Sequence, residues 1–328
     1  MQLLGNQEQQ RLFDTFLHSL RLASDEEVLR MIESPPRPLT PGDVVGAAAS
    51  IGLGGLVLRA LERGVLSPDT PCGNGTLKHI AATFGLLELL NLLILERGVD
   101  SNEVNVDGVR PLHLAIKARL EQEALFLINE APGVDIDAPT PRGDTPFVVA
   151  AALGRMDVLR ALVTKGADVN AKNEGGLSAL HAAIQEGQEE AALYLIEEAA
   201  AAVYDPDAPV PALSYAAAFS LCRVMSAIVR WMRTDEVDSA TVAAEIGPAA
   251  LCAIEKEVEL LKALVEEGLD VDQAPVITVG GSSLERPLFH HACAHGNREA
   301  AAWLLERGCD PLARNSWGER AHHVLAGL

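Results

Sequence analysis

Nine histidines and five cysteines are the residues of this 328-residue sequence whose types most invite chemistry. His291 and His295 stand four apart, a spacing that a helix places on one face and that suits a pair of metal ligands. No Glu completes an HExxH pattern around them, and only Cys293 and Cys309 lie close enough in sequence to supply a third ligand. Cys72, Cys222, Cys252, Cys293 and Cys309 are far apart, odd in number and contain no CxxC pair. That usage predicts isolated thiols in a reducing compartment rather than disulfides or a zinc site. Acyl-transfer, phosphate-loop and dinucleotide signatures (GxSxG, GxxxxGK[ST], and GxGxxG after a strand) do not occur. Gly52-Leu-Gly-Gly55 is glycine-rich but reads as a turn between helices. No cofactor and no metal is therefore expected.

The composition narrows the function classes further. The chain is 48% hydrophobic but only 4% aromatic, and its formal net charge is -20. A core poor in rings and rich in Ala and Leu predicts helices packed closely over small residues. The strong negative charge disfavours nucleic acid, whose phosphates draw on clustered Lys and Arg, and disfavours an anionic membrane surface. The N-terminal stretch lacks a basic start followed by an apolar run. No stretch approaches the ~20 apolar residues that span a bilayer. The expected compartment is the cytoplasm, with the nucleus as the alternative.

The elements that must position these residues recur along the chain. The clearest unit is Gly143-Asp-Thr-Pro-Phe-Val-Val-Ala-Ala-Ala-Leu-Gly154, then Met156 to Val163, then Gly166-Ala-Asp-Val-Asn170. Further copies are Gly176-Leu-Ser-Ala-Leu-His-Ala-Ala-Ile-Gln-Glu-Gly187 and Gly108-Val-Arg-Pro-Leu-His-Leu-Ala115. Thr or Ser opens the first helix as a cap and Pro suits its first turn. Ala pairs allow close helix approach, and a Gly turns the chain into the second helix. One such unit cannot bury its own apolar face, so stacking must supply the core.

These units resemble the ankyrin repeat. Aligned on the Thr slot, copies fall at Thr15, Asp43, Thr76, Arg110, Thr145, Ser178, Pro211, Pro248, Pro287 and Arg320. The resemblance implies an all-α solenoid of stacked helix-turn-helix units with loop or β-turn fingers, about eight full units plus terminal caps. The chain is expected to form a single array over 1–328. Residues 11–35 form an N-terminal capping helix pair, 41–312 the repeats, degenerate at 41–66, 207–232 and 244–272, and 313–328 a truncated C-terminal cap. Two connections, Tyr204 to Pro211 and Asp270 to Glu285, are longer than the repeat requires.

The resemblance also assigns roles. His18, His79, His113, His181, His290 and His323 fall in the slot whose His bridges neighbouring loops, which removes them from the catalytic candidates. Asn170, with Leu162 eight positions before it, fits the spacing of an asparaginyl-hydroxylation site, although a turn-closing side chain explains it as well. In such arrays partners dock on a concave face built from the loop tips and the residues before the inter-helix Gly. There Ile51, Phe84, Leu153 and Phe219 are apolar where polar residues are expected. Val109, Leu177, Leu284 and Trp317 join them at loop tips, beside Asp107, Arg142, Asp144 and Glu174.

The expected function is thus a protein-interaction module, an adaptor or scaffold rather than an enzyme. Its partner is a protein or peptide, such as a basic-flanked amphipathic helix, held by an apolar stripe with an acidic rim. The stripe comprises Phe84, Val109, Arg142, Leu153, Leu177, Phe219 and Trp317. The alternative is an enzyme or small-molecule binder with a pocket around His291, His295 and Trp317 in the irregular C-terminal repeats.

Overall fold

A computed structural model describes residues 6–37, 39–199, 201–204, 210–234, 246–247, 249–251, 253–254, 258–266, 269–270, 272, 276–279, 282–285, 287–315, 318 and 321. Helices come in pairs: α1 (Asn6–Leu22) and α2 (Asp25–Glu33), α3 (Pro41–Ser50) and α4 (Gly54–Glu62), α5 (Leu77–Phe84) and α6 (Leu87–Asn91). They continue with α7 (Pro111–Lys117) and α8 (Glu121–Asn129), α9 (Pro146–Ala152) and α10 (Met156–Thr164), α11 (Ala179–Gln185) and α12 (Glu189–Glu197), α13 (Ala212–Ala218) and α14 (Cys222–Thr234). Helical residues at 246–247, 249–251 and 253–254 precede α15 (Val258–Glu266), and α16 (Leu288–Ala294) and α17 (Arg298–Glu306) form the last described pair. The fold is all-α and solenoid-like: among the described residues about nine helix pairs, stacked within each of two compact units. One antiparallel hairpin, β1 (Val276–Val279) with β2 (Ser282–Glu285), is inserted in the long connection before α16. Among the described residues no helix is long and apolar enough to cross a membrane.

The chain divides into two compact units, residues 1–150 with 155–168, and residues 151–154 with 169–328. Within each, first helices pack on first helices (α3 on α5, α5 on α7; α11 on α13), and second helices on second helices (α4 on α6, α8 on α10; α12 on α14). The small side chains that sequence patterning places at these contacts, Ala81, Ala82, Ala115, Ala183 and Ala216, are fully buried.

Caps fix the helix starts and correct the register of the degenerate repeats. Ser24 and Glu27 form a capping box at α2, and Asp25-Glu-Glu27 makes up the acidic first turn of this second helix of the N-terminal pair. At α3 the capping residue is Thr40, not Asp43: the Asp43 N–H donates to Thr40 Oγ1 (3.2 Å), and the Thr40 N–H donates to the Asp43 carboxylate (2.8 Å). Thr40-Pro41 is thus this repeat's Thr-Pro pair, and Asp43 occupies the His slot. Gly42 follows because a methyl group there would lie 1.7 Å from the Pro71 carbonyl oxygen. Thr15 likewise lies inside α1 instead of capping it, and helical residues begin no later than Ile246, ahead of the assigned anchor at 248. His18 is exposed on α1, while His323 lies outside the described residues.

One repeat carries an extra residue. Gly85 and Gly98 are 13 apart, against 12 for Gly154 and Gly166. The second helix absorbs the insertion as a π-helical turn, Leu92–Glu96, directly after α6. A single added residue widens one turn and leaves Leu89, Leu90, Leu93 and Ile94 buried, which preserves the stack on either side.

Candidate functional site

Side-chain hydrogen bonds build the loop fingers. Asn105 Oδ1 accepts from the N–H groups of Asp107 (3.0 Å) and Val109 (2.8 Å), while the Asn105 N–H donates to the Val109 carbonyl (2.9 Å). Asn173 repeats the arrangement with Gly175 and Leu177, both at 3.0 Å, and Thr140 does so with its hydroxyl on the Asp144 N–H (3.2 Å). An Asx turn of this kind substitutes a side-chain acceptor for a main-chain one and fixes the loop. It holds Val109 and Leu177, half-buried, at the last position of their fingers and leaves Arg142 exposed near the tip of its own.

A second set of bonds ties each finger to the next repeat. The N–H of Asp135 donates to Asn102 Oδ1 (2.8 Å), that of Asp168 to Asp137 Oδ1 (2.9 Å), that of Ala202 to Asn170 Oδ1 (2.7 Å), and that of Asp310 to Asp272 Oδ1 (2.8 Å). Asn170 therefore has a structural role: its side chain joins two consecutive loops.

The bridging role of the histidines is visible at two slots. His79 Nε2 lies 3.0 Å from the Glu103 carbonyl, and its Nδ1 lies 3.1 Å from the Thr76 N–H. His181 Nε2 lies 3.0 Å from the Val210 carbonyl, with Nδ1 2.9 Å from the Ser178 hydroxyl. A carbonyl only accepts and an N–H only donates. At His79 the partners therefore fix the neutral Nε2–H tautomer, and at His181 the carbonyl requires the proton on Nε2. Burial lowers the His79 pKa, and burial pushes that of His113 down to about 4, partly opposed by the nearby Asp144 main chain. The His79 and His181 imidazoles tie neighbouring loops together, whereas neither ring nitrogen of the buried His113 is hydrogen-bonded.

The slot beside His79 carries a residue that sequence patterning missed. Where other repeats place Leu112, Phe147 or Leu180, this one has Lys78, only 1% exposed, its ammonium paired with the half-exposed Glu103 carboxylate.

The predicted contact residues fall in both units. In the first, Phe84 ends α5 with 39% of its surface exposed, and Val109 and Arg142 stand on fingers. Lys117 and Arg119, exposed on the next inter-helix turn, make the surround of Phe84 mixed in charge. In the second unit Leu153 and Leu177 are half-buried, and Phe219 is 44% exposed. The Phe219 ring stacks on Tyr215 (centroids 6.0 Å apart, planes 23° apart), and Tyr215 meets His181 edge-on at 5.5 Å. Tyr215 was absent from the sequence-based candidates, although its position four residues before Phe219 on one helix was the signal that could have found it. Trp317 and the side chain of Leu284 lie outside the described residues.

Arg119 and Ser220 occupy the left-handed turn position that Gly85, Gly154 and Gly187 fill in other repeats, with φ of 61° and 60°. Each adjoins a predicted contact region, Ser220 directly after Phe219 and Arg119 on the turn next to that of Phe84.

At the C-terminal end, the His291 and His295 rings lie 4.3 Å apart and tilted by 40°. Trp317, the third member of that alternative pocket, is outside the described residues. Among the described residues no three His, Cys, Asp or Glu side chains gather as a metal-binding group. Burial, then the negative charges of Asp272 and Asp310, raises the Cys309 thiol to about 11, and burial also raises Cys293. Such thiols hold their protons and make poor ligands and nucleophiles at neutral pH.

Comparison with known proteins agrees with this geometry. A family profile described as "Ankyrin repeats (3 copies)" matches residues 78–173 and 124–207, and one described as "Ankyrin repeat" matches 284–313. The crystal structure of the human ASB11 ankyrin repeat domain superposes with a TM-score of 0.56 at 21% identity, covering 72% of this chain and 99% of that one. Neurogenic locus notch homolog protein 1 of Homo sapiens is 34% identical over 125 residues, 38% of this chain. Neurogenic locus notch homolog protein 2 of Homo sapiens is 34% identical over 122 residues, 37% of this chain. The matched segment spans only 5% of either relative's length. With Thr/Ser–His bridges, Asn- and Thr-built fingers and paired short helices all in place, the chain has the architecture of an ankyrin-repeat array.

Proposed function

We propose that this chain is an adaptor that binds a protein partner through the finger tips and inter-helix turns of its repeats, without catalysis. Phe84, Val109 and Arg142 form the contact surface of the first unit, and Leu153, Leu177 and Phe219 that of the second. The observation that carries the reading is Phe219, a ring 44% exposed yet held in one orientation by Tyr215, which itself abuts His181. A chain with so few aromatic residues gains little from leaving one half in water, whereas a pre-oriented ring is a low-entropy anchor for a partner. Exposed Asp107, Glu174 and Glu186 steer a positively charged segment, so an amphipathic helix with basic flanks is the partner proposed.

Affinity capture from cells of the source organism tests this with wild type beside Phe84→Glu and Phe219→Glu, each variant checked for unchanged helical content. The reading expects a protein retained by wild type and lost from both folded variants. Equal retention by all three would place binding elsewhere.

A further inference from the structure

The first unit holds a cleft of about 340 Å³ at the turns leading into α4, α6 and α8. Its walls are Leu58, Leu87 and the bare backbone of Gly55 and Gly85, with Glu88 exposed at the rim and Glu123 set into the wall. Glu123 is more than nine-tenths buried and has no hydrogen-bond or ion-pair partner among the described residues. A methyl group on Gly85 would lie 3.6 Å from Glu123 Oε1, so this carboxylate borders the glycine-lined part of the cleft. A carboxylate has acceptor sites only, and those of Glu123 are not sealed in the core but open onto the cleft, where they can accept from an entering donor. Its position in the first turn of α8 favours its negative charge but supplies no hydrogen bond.

Two adjacent glycines begin α4, and only one is required by packing. A methyl group on Gly54 would lie 2.2 Å from Leu86 Cδ2, whereas one on Gly55 meets nothing within 4 Å. Gly55 has no positive φ to justify it either. What a side chain at 55 would do is fill the cleft.

We propose that this cleft receives a lysine side chain of the partner protein, its alkyl stem against Leu58 and Leu87 and its ammonium on Glu123. The proposal rests on the protein-binding reading above and adds to it a recognition pocket for one residue type. Lysine fits better than arginine because the cleft wall offers a single carboxylate and no aromatic face on which a guanidinium stacks. Glu88 at the mouth and the net charge of -20 attract the cation.

The test is a methyl and amide NMR titration of the full chain with an acetylated, amidated peptide Ala-Ala-Ala-Lys-Ala-Ala-Ala and with its acetyl-lysine counterpart. The proposal expects saturable shifts at Leu58, Leu87, Gly55 and Gly85. Affinity should fall about tenfold or more when the lysine is acetylated or when Glu123 is replaced in Glu123→Gln, as loss of a charge-assisted contact requires. Gly55→Leu, which fills open space without strain, should abolish the shifts while leaving the melting temperature unchanged or higher. Equal affinity for the acetylated peptide, equal affinity in Glu123→Gln, or silence of the cleft residues overturns it. A silent cleft in a protein whose partner is still lost on Phe84→Glu removes the pocket and leaves the adaptor reading intact.

Discussion

Lys78 offers a sharp test of how the stack is held together. It fills a core slot given to Leu or Phe elsewhere, and its ammonium has been taken out of water at a cost of several kcal/mol. The compensating attraction to Glu103, about 5 kcal/mol at ~3 Å with an effective dielectric near 20, is an upper figure. Half of the Glu103 side chain is in water, which screens it. Replacement by Lys78→Leu removes the buried charge, leaves a carboxylate already half-solvated, and, because the lysine stem is already buried, adds no more than about 1 kcal/mol of apolar burial. The expected result is a net stabilisation of about 1–3 kcal/mol. Glu103→Gln alone should destabilise by about 2 kcal/mol, because it strands the ammonium, yet should cost under about 0.5 kcal/mol in the Lys78→Leu background. Urea unfolding followed by circular dichroism reads all four proteins of this cycle. A Lys78→Leu protein less stable than wild type by more than about 1 kcal/mol would refute the reasoning, since the ion pair would then outweigh both burial and desolvation.

Other expectations are more local. Arg119→Gly and Ser220→Gly should each raise stability by about 0.5–1 kcal/mol in thermal unfolding, the left-handed strain of ~1–2 kcal/mol being partly offset by glycine's greater chain entropy. Gly42→Ala should destabilise by at least about 2 kcal/mol, because its methyl would meet a main-chain carbonyl that cannot rotate aside; an unshifted urea midpoint would contradict the close approach. His113 is depressed to about 4 in the fold against an ordinary value near 6.5, so between these pH values the unfolded chain binds the extra proton. Stability should therefore fall as pH drops through that window, by about 3 kcal/mol in total, and His113→Gln should flatten the part above pH 5, where carboxylates contribute least.

The repeat was legible in the sequence because its bonds demand residue types at fixed spacing. Thr or Ser three residues before His can cap a helix and orient an imidazole together, and few other pairs do both. Asn170 and its equivalents were legible as turn residues for the same reason. The register at residues 40–43 was obscured because Gly42 and Asp43 replace the usual Leu and His, and the close approach that demands Gly42 is made by a residue far along the chain, Pro71. Lys78 and Glu123 read as surface residues by type, and only the packing of neighbouring repeats buries them. Phe84 and Phe219 stood out as apolar residues at free positions; the four-residue spacing of Tyr215 and Phe219 permits their contact, but the edge-on contact of Tyr215 with His181 in the preceding repeat appears only in the fold.

The central claim is that these exposed rings are anchors for a protein partner. Calorimetric titration of the captured partner against wild type, Phe84→Ala and Phe219→Ala tests it most directly. Anchors of this kind are worth about 2 kcal/mol or more, so each truncation should weaken Kd by roughly thirtyfold with helical content and melting temperature unchanged. Affinities within about threefold of wild type in both folded variants would contradict the claim.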